Sequence, residues 1–464
     1  MENETNTPQQ GGQQATPRTG TLTYPFYSLL RKYVSASALL IVATIAALIV
    51  ANSVFNDLYF RFWEMPVSLS IGPLNLFAHE GHPMSLGAFI NDFLMAIFFL
   101  SVGLEIKREV LCGELSTLEK ALAPVIAACG GMILPVIFFW MVCHGNDAME
   151  RGVAIPMSTD IAFSLGVLAM FGRRVPTALK VFLATLAVAD DLGGIVVIAL
   201  RYSEHLDILY IMLSMGVVAL LILGNWRAVT SKMYYLSLGF LLWFLMSRSG
   251  IHATIAGVVL AFCIPSRLPV GVSYYIERVR HTVQNFPEVV VTHADKQKPA
   301  IMSAEDVGLL KEIEHAGDHL ISPLQHIEDS LRNPINYFVI PLFAFANAGV
   351  NLEGMTLANI FSGIGLAVIV GLVLGKFLGV LGFTWLFIRL RIIRMPKGAT
   401  WSSLASVAML CGIGFTVSMF MAHLSYAPQY PEYLADAKLG ILTASLISAI
   451  LGSLMLRKTL LPAS

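Results

Sequence analysis

The chain has 464 residues, 56% of them hydrophobic and only 13% charged, against roughly 25% charged in an average soluble protein. Lys plus Arg and Asp plus Glu number 30 each, giving a formal net charge of zero, so nothing marks a nucleic-acid partner. Cys112, Cys129, Cys143, Cys263 and Cys411 are scattered without a Cys-x-x-Cys pair, so neither a zinc site nor a disulfide framework is indicated.

Residues 1–30 are polar, begin rich in Gln, Thr, Gly and Pro, and lack the apolar core of a signal peptide. They are expected to form a disordered cytoplasmic tail. Apolar runs follow near 35–54, 86–106, 121–142, 152–171, 177–200, 207–224, 233–248, 251–265, 335–349, 358–388, 403–424 and 437–456. They predict an all-α polytopic membrane protein of about twelve transmembrane helices. Spans 1–8 fall in 31–268, a polar insertion in 269–333, and spans 9–12 in 334–464. Basic residues sort the two sides. Arg31, Lys32, Lys107, Arg108, Arg173, Arg174, Arg389, Arg391, Arg394, Arg457 and Lys458 share one side, while opposite connections carry only Arg61, Arg151, Arg201 and Arg248. The positive-inside rule then places both termini in the cytoplasm.

Two connections are more than links. Residues 64–80 alternate polar and apolar positions around Gly72-Pro73, which predicts an external hairpin and a candidate homodimer contact. The insertion carries helical spacing from Ser303 to Leu331, read as a surface helix. Two spans are interrupted: the fourth by Pro156 and the eleventh by Gly412 and Gly414. Irregular backbone in a membrane is tolerated only where it is buried in protein or lines a cavity. Breaks at corresponding places in two halves point to inverted-topology repeats around a transport site.

The fifth span places Asp190 and Asp191 side by side in the middle of an apolar run. A charge at the bilayer centre costs at least ~2.5–3.5 kcal/mol on insertion scales and usually marks an ion or proton path. Asp160 lies at the fourth-span break, where it offsets the positive ends of half-helices. Lys376, inside a run with glycines at four-residue spacing, is the candidate counter-charge for Asp190. Asp160, Asp190 and Asp191 outnumber Lys376, so the site must take up protons or cations. Carboxylates, the Thr159 hydroxyl and unwound carbonyls suit the hard cations Na⁺ and Li⁺. One pocket holding either protons or a small cation becomes an exchanger once it opens to each side alternately. No cofactor beyond the transported ions is called for, and the chain is read as a transporter, not an enzyme. An intramembrane aspartyl protease would need two Asp from separate helices, and an open channel would not enclose a lysine. The runner-up is a sodium-coupled organic-anion symporter of similar broken-helix architecture.

The strings Ile90-Asn91-Asp92, Phe98 to Glu109, Thr159 to Phe163, Asp190-Asp191-Leu192-Gly193, Gly250 to Gly257, Pro341 to Gly349 and Gly412 to Thr416 resemble the bacterial NhaA-type Na⁺/H⁺ antiporters. The resemblance covers most of 30–265 and 325–458. It implies that the fourth and eleventh helices are unwound and cross. It also implies electrogenic exchange of Na⁺ or Li⁺ for more protons, alkaline activation, and a place in the bacterial inner membrane. Carried over, Asp191 is the principal cation and proton ligand, Asp190 pairs with Lys376, Thr159 assists, and Asp160 compensates the crossed helix ends. Glu105, Glu109, His252 and Glu328 would form a cytoplasmic pH-sensing region, with Asp92 at the external end of span two. The chain departs from the family pattern at Phe377, where proline is common. It also departs in the string Glu328 to Asn333, which lacks the usual histidines, and in the long 269–324 insertion.

Overall fold

Side-chain caps close many of the apolar runs into helices in the computed structural model, which describes residues 35–460 apart from 69, 72–73, 76–77, 80–81, 202–205, 267–271, 286–303, 354–360, 362 and 428. The expected N-terminal tail lies outside the described residues. Helix α1 (Ala36–Ala51) starts where the Ser35 hydroxyl accepts the Ala38 amide, and α2 (Asn56–Glu64) turns away from it by 111°. Five short strands follow. β1 (Pro66–Val67) and β4 (Ala78–His79) both pair antiparallel with β5 (His82–Ser85), and β2 (Ser70–Ile71) pairs with β3 (Leu74–Asn75) in the register Ser70↔Asn75. The alternation in the sequence therefore does form hairpin pairing, although Gly72-Pro73 at the tip lies outside the described residues.

Next come α3 (Leu86–Cys112), capped by Ser85, and α4 (Leu118–Cys143). The short α5 (Asp147–Glu150) leads through a 3-10 turn (Arg151–Met157) to α6 (Ile161–Ala169), then α7 (Thr177–Arg201) and α8 (Ile208–Trp226), capped by Asp207. Helices α9 (Lys232–Arg248) and α10 (Ile255–Cys263) complete the first part. The insertion holds α11 (Val272–Gln284), α12 (Ala304–Leu320) and α13 (Pro323–Pro334). Ser322 breaks the expected single surface helix in two by capping α13 through the Gln325 amide. An Arg278–Glu312 ion pair at 2.6 Å ties α11 to α12. A π-helical turn (Ile335–Val339) runs into α14 (Ile340–Asn347), and a second (Val370–Gly375) joins α15 (Gly363–Ile369) to α16 (Lys376–Arg389). The chain ends with α17 (Trp401–Leu410), α18 (Phe415–Tyr426) and α19 (Pro431–Leu460).

Among the described residues, six helices are long and apolar enough to cross a membrane, or nine spans if each bent pair counts as one. The predicted eighth span is only the nine-residue α10, and the predicted ninth is divided between a π-helical turn and α14. The outer face of α8 is apolar. Ile208, Met212, Met215 and Ile222 of α8 are exposed, whereas Asp160, Asp190, Asp191 and Lys376 are buried. That inversion of the soluble pattern is what a hydrocarbon solvent demands.

Close helix approach positions the interior. Helix α16 lies against α4 through glycines on both. A methyl on Gly379 would fall 2.6 Å from the Gly130 carbonyl carbon, and one on Gly375 would fall 2.6 Å from Pro135 Cα. At such sites backbones touch without intervening side chains, which brings the base of the Lys376 side chain deep into the bundle.

Candidate cation and proton site

Two helix breaks face each other at the centre. In the first, Pro156 lies within the 3-10 turn, and Ser158 takes up extended backbone (φ −90°, ψ 150°) before Asp160 caps α6 through the Phe163 amide at 2.9 Å. In the second, Cys411 to Gly414 separates α17 from α18, with a bend of 42° across each break. The breaks are hydrogen-bonded to one another. The Asp160 amide donates to the Ile413 carbonyl at 2.7 Å, and the Ser418 hydroxyl donates to the Ile155 carbonyl at 2.8 Å. The other carboxylate oxygen of Asp160 accepts the Thr416 amide at 3.1 Å and its hydroxyl at 2.6 Å. One buried carboxylate thus caps two helix N-termini, each carrying roughly half a positive charge.

The Asp190 and Asp191 carboxylates come from α7. Asp190 Oδ2 accepts the Thr159 hydroxyl at 2.8 Å and the Lys376 ammonium, with both ion-pair partners fully buried. The Thr159 hydroxyl is also 3.0 Å from the Cys411 carbonyl, and its one proton serves either acceptor at a time. Asp191 is 1% exposed, and neither of its carboxylate oxygens has a hydrogen-bond partner. Asp190 Oδ1 and Ser158 Oγ are buried and unpartnered as well. Oxygens of this kind, charged or neutral, fit a hard monovalent cation or a proton. No group of three or more His, Cys, Asp and Glu suited to a metal ion occurs among the described residues.

The structure gathers three of the four candidate pH-sensing residues. Arg108 contacts Glu328 at 2.8 Å and Glu109 at 3.4 Å, and Arg332 reaches Glu328 at 3.3 Å. Burial pushes the Glu328 carboxyl above the ordinary glutamate range, with Arg108 and Arg332 pulling it back in part. A cavity of about 230 Å³ is lined by Glu105, Glu328 and Arg332 and also by Asp160 and Thr416, so it joins this cluster to the helix breaks. His252 is not part of it. Its Nδ1 lies 2.9 Å from the Thr254 hydroxyl at the start of α10, and its ring meets Phe420 edge-on. Lys107, beside Glu105, donates instead to the Phe262 carbonyl at the far end of that helix at 2.7 Å. Nine residues of helix, about 14 Å long, therefore separate His252 from the carboxylates. Asp92 stands beside Asn91 in the first half of α3, where Asn91 and Asn347 exchange amide hydrogen bonds.

Sequence reasoning did not assign roles to Thr416, Ser158, Arg108 or Arg332. The Glu328–Arg332 spacing of four was a readable signal. The Asp160–Thr416 contact spans 256 residues and had none.

A family profile described as Na⁺/H⁺ antiporter 1 matches residues 27–456. The chain belongs to that family. Among its relatives, the Na⁺/H⁺ antiporter NhaA of Bacteroides thetaiotaomicron is 48% identical over 424 residues, covering 91% of this chain and 95% of the relative. The same-named protein of Phocaeicola vulgatus is 45% identical over 436 residues, covering 94% and 96%. That of Helicobacter pylori is 44% identical over 412 residues, covering 89% and 90%. As a member of the Na⁺/H⁺ antiporter 1 family with several apolar helices, the chain is a multi-pass membrane protein.

Proposed function

We propose that the protein exchanges cytoplasmic Na⁺ or Li⁺ for external protons by alternating access, with cation and protons competing for Asp190 and Asp191. The observation that carries this reading is Asp191, a buried carboxylate without a hydrogen-bond partner beside a Lys376–Asp190 pair. Counting charge shows why. Asp160 offsets two helix N-termini of about half a charge each, and Lys376 offsets Asp190. Asp191 is left with one negative charge, which a single monovalent cation or proton neutralises. A second proton enters when Na⁺ leaves and the Lys376–Asp190 pair opens, so the cycle is electrogenic. Thr159, holding Asp190 through its hydroxyl, assists the cation.

In this reading the chain crosses a bacterial inner membrane twelve times, with both termini cytoplasmic, and α6 and α18 belong to the crossed fourth and eleventh spans. The cluster of Glu105, Glu109 and Glu328 gives activation at alkaline pH, and the strand pairs at 64–80 join two copies. Each finer point rests on the same antiporter reading. A sodium-coupled organic-anion symporter is disfavoured because Lys376 is engaged by Asp190 and no other fully buried cation lies beside the breaks among the described residues.

The test is dequenching of a pH dye in everted vesicles on adding Na⁺, Li⁺ or K⁺. Na⁺ and Li⁺ should evoke a response, K⁺ none, and Asp191→Asn should abolish it. Absence of any Na⁺ response in well-expressed parent protein from neutral to alkaline pH refutes the proposal. A normal response from Asp191→Asn moves the site elsewhere.

A further inference from the structure

We infer that Ser158 is an additional, uncharged oxygen ligand of the transported cation and favours Na⁺ over Li⁺, an inference that rests on the antiporter reading above. Ser158 is 0% exposed, and its hydroxyl has no hydrogen-bond partner. Many buried serines and threonines inside helices avoid this state by bonding the carbonyl four residues back, although Ser214 and Ser448, both distant from the acidic pair in sequence, share it. Thr185 bonds Val181, Ser406 bonds Ser402, and Ser425 bonds Met421. Ser158 has no such recourse because its backbone is extended between two half-helices. A buried hydroxyl left in that condition is costly unless something else satisfies it.

Its location says what that would be. A Cβ placed on Gly194 would lie 3.7 Å from Ser158 Oγ, and Gly194 follows Asp191 by three residues and Asp190 by four. Residues at those spacings share one face of α7. The neighbouring Thr159 already bonds Asp190. Ser158 Oγ, Asp190 Oδ1 and both Asp191 oxygens are therefore four buried, unpartnered oxygens contributed by one helix face and the break packed against it. The hydroxyl offers lone pairs to a cation without adding charge. Na⁺ takes a larger oxygen shell than Li⁺, so an extra neutral ligand benefits Na⁺ more.

The experiment compares parent, Ser158→Ala and Ser158→Thr in everted vesicles for the apparent KM and maximal rate with Na⁺ and with Li⁺. Purified protein in detergent is then melted with and without Na⁺. Ser158→Ala should raise the Na⁺ KM about three- to tenfold, the factor expected for one lost polar contact, with little change in maximal rate and a smaller change for Li⁺. Ser158→Thr, which keeps the hydroxyl, should restore the parental ratio. Without ions, Ser158→Ala should melt at or above the parent's temperature, because it deletes an unpaired polar group, while its Na⁺-dependent rise in Tm shrinks. Equal Na⁺ and Li⁺ KM values in parent and Ser158→Ala, with the parent transporting, overturn this inference and leave the antiporter reading intact. A parent without Na⁺ response overturns both. Should Ser158→Ala fail to accumulate, Ser158→Cys, a poor ligand for hard cations, replaces it, and parental Na⁺ KM in that variant also overturns the inference.

Discussion

Lys376 is fully buried and spends its charge on Asp190. Breaking such a pair from one side strands the other charge and costs about 3–5 kcal/mol, whereas replacing both partners by uncharged groups is often neutral. Lys376→Ala is therefore expected to lower the melting temperature in detergent strongly. The double variant Asp190→Asn with Lys376→Met should recover most of that loss while transporting nothing. If the double variant melts as low as Lys376→Ala, the stranded carboxylate is not the cause. Asp160 works on the same scale with helix ends as its counter-charges. Asp160→Ala removes acceptors from the N-termini of both α6 and α18, at about 1 kcal/mol per cap, so its melting temperature should fall further than that of Asp160→Asn, which keeps one acceptor oxygen and so only one of the two caps. The identity of these residues was readable because a charged residue in an apolar run has few explanations. Their partners were not, since Thr416 and Ser158 are ordinary residues until the fold places them.

At the scale of helices, the site depends on how closely α16 approaches α4. The contact is backbone on backbone at Gly130 and Gly379, so it tolerates no added volume. Gly379→Ala should cost about 1–3 kcal/mol, the range for overpacking a filled interior. A visible fall in melting temperature, together with weakened transport as Lys376 shifts, would be the sign. An unchanged melting temperature would show that α4 and α16 are not locked there. Glycines at four-residue spacing announced this helix contact in the sequence, and Pro156 and the Gly412–Gly414 pair announced the breaks. The π-helical turn before Lys376 had no such marker. The nine residues of α10 likewise make a shorter helix than the apolar run from 251 to 265 implied.

On the scale of the whole molecule, α13 docks on the end of α3 through the Glu328–Arg108 ion pair, with Arg332 bracing Glu328 from within α13, and this junction should sense pH. Burial raises the Glu328 carboxyl above its unfolded value. A carboxyl raised in the folded state contributes stability that is present below the unfolded pKa and is lost as pH rises through the folded one. Relative to Glu328→Gln, which mimics the protonated form at every pH, the parent should therefore lose melting temperature from acid to neutral pH. A flat or opposite difference between the two melting profiles would show that Arg108 and Arg332 outweigh burial there.

By itself the sequence determined the membrane class, most of the long helices, the two interruptions and the acidic residues of the centre. These follow from local composition, since a long apolar run must be helical in lipid and a charge within it must be accommodated. Only the tertiary structure decided that one Asp160 carboxylate serves two helices, that Asp190 is engaged while Asp191 is left without a donor, and that His252 stands a helix length from Glu328. Those outcomes depend on contacts between residues hundreds of positions apart, where no periodicity along the chain records which side chains will meet.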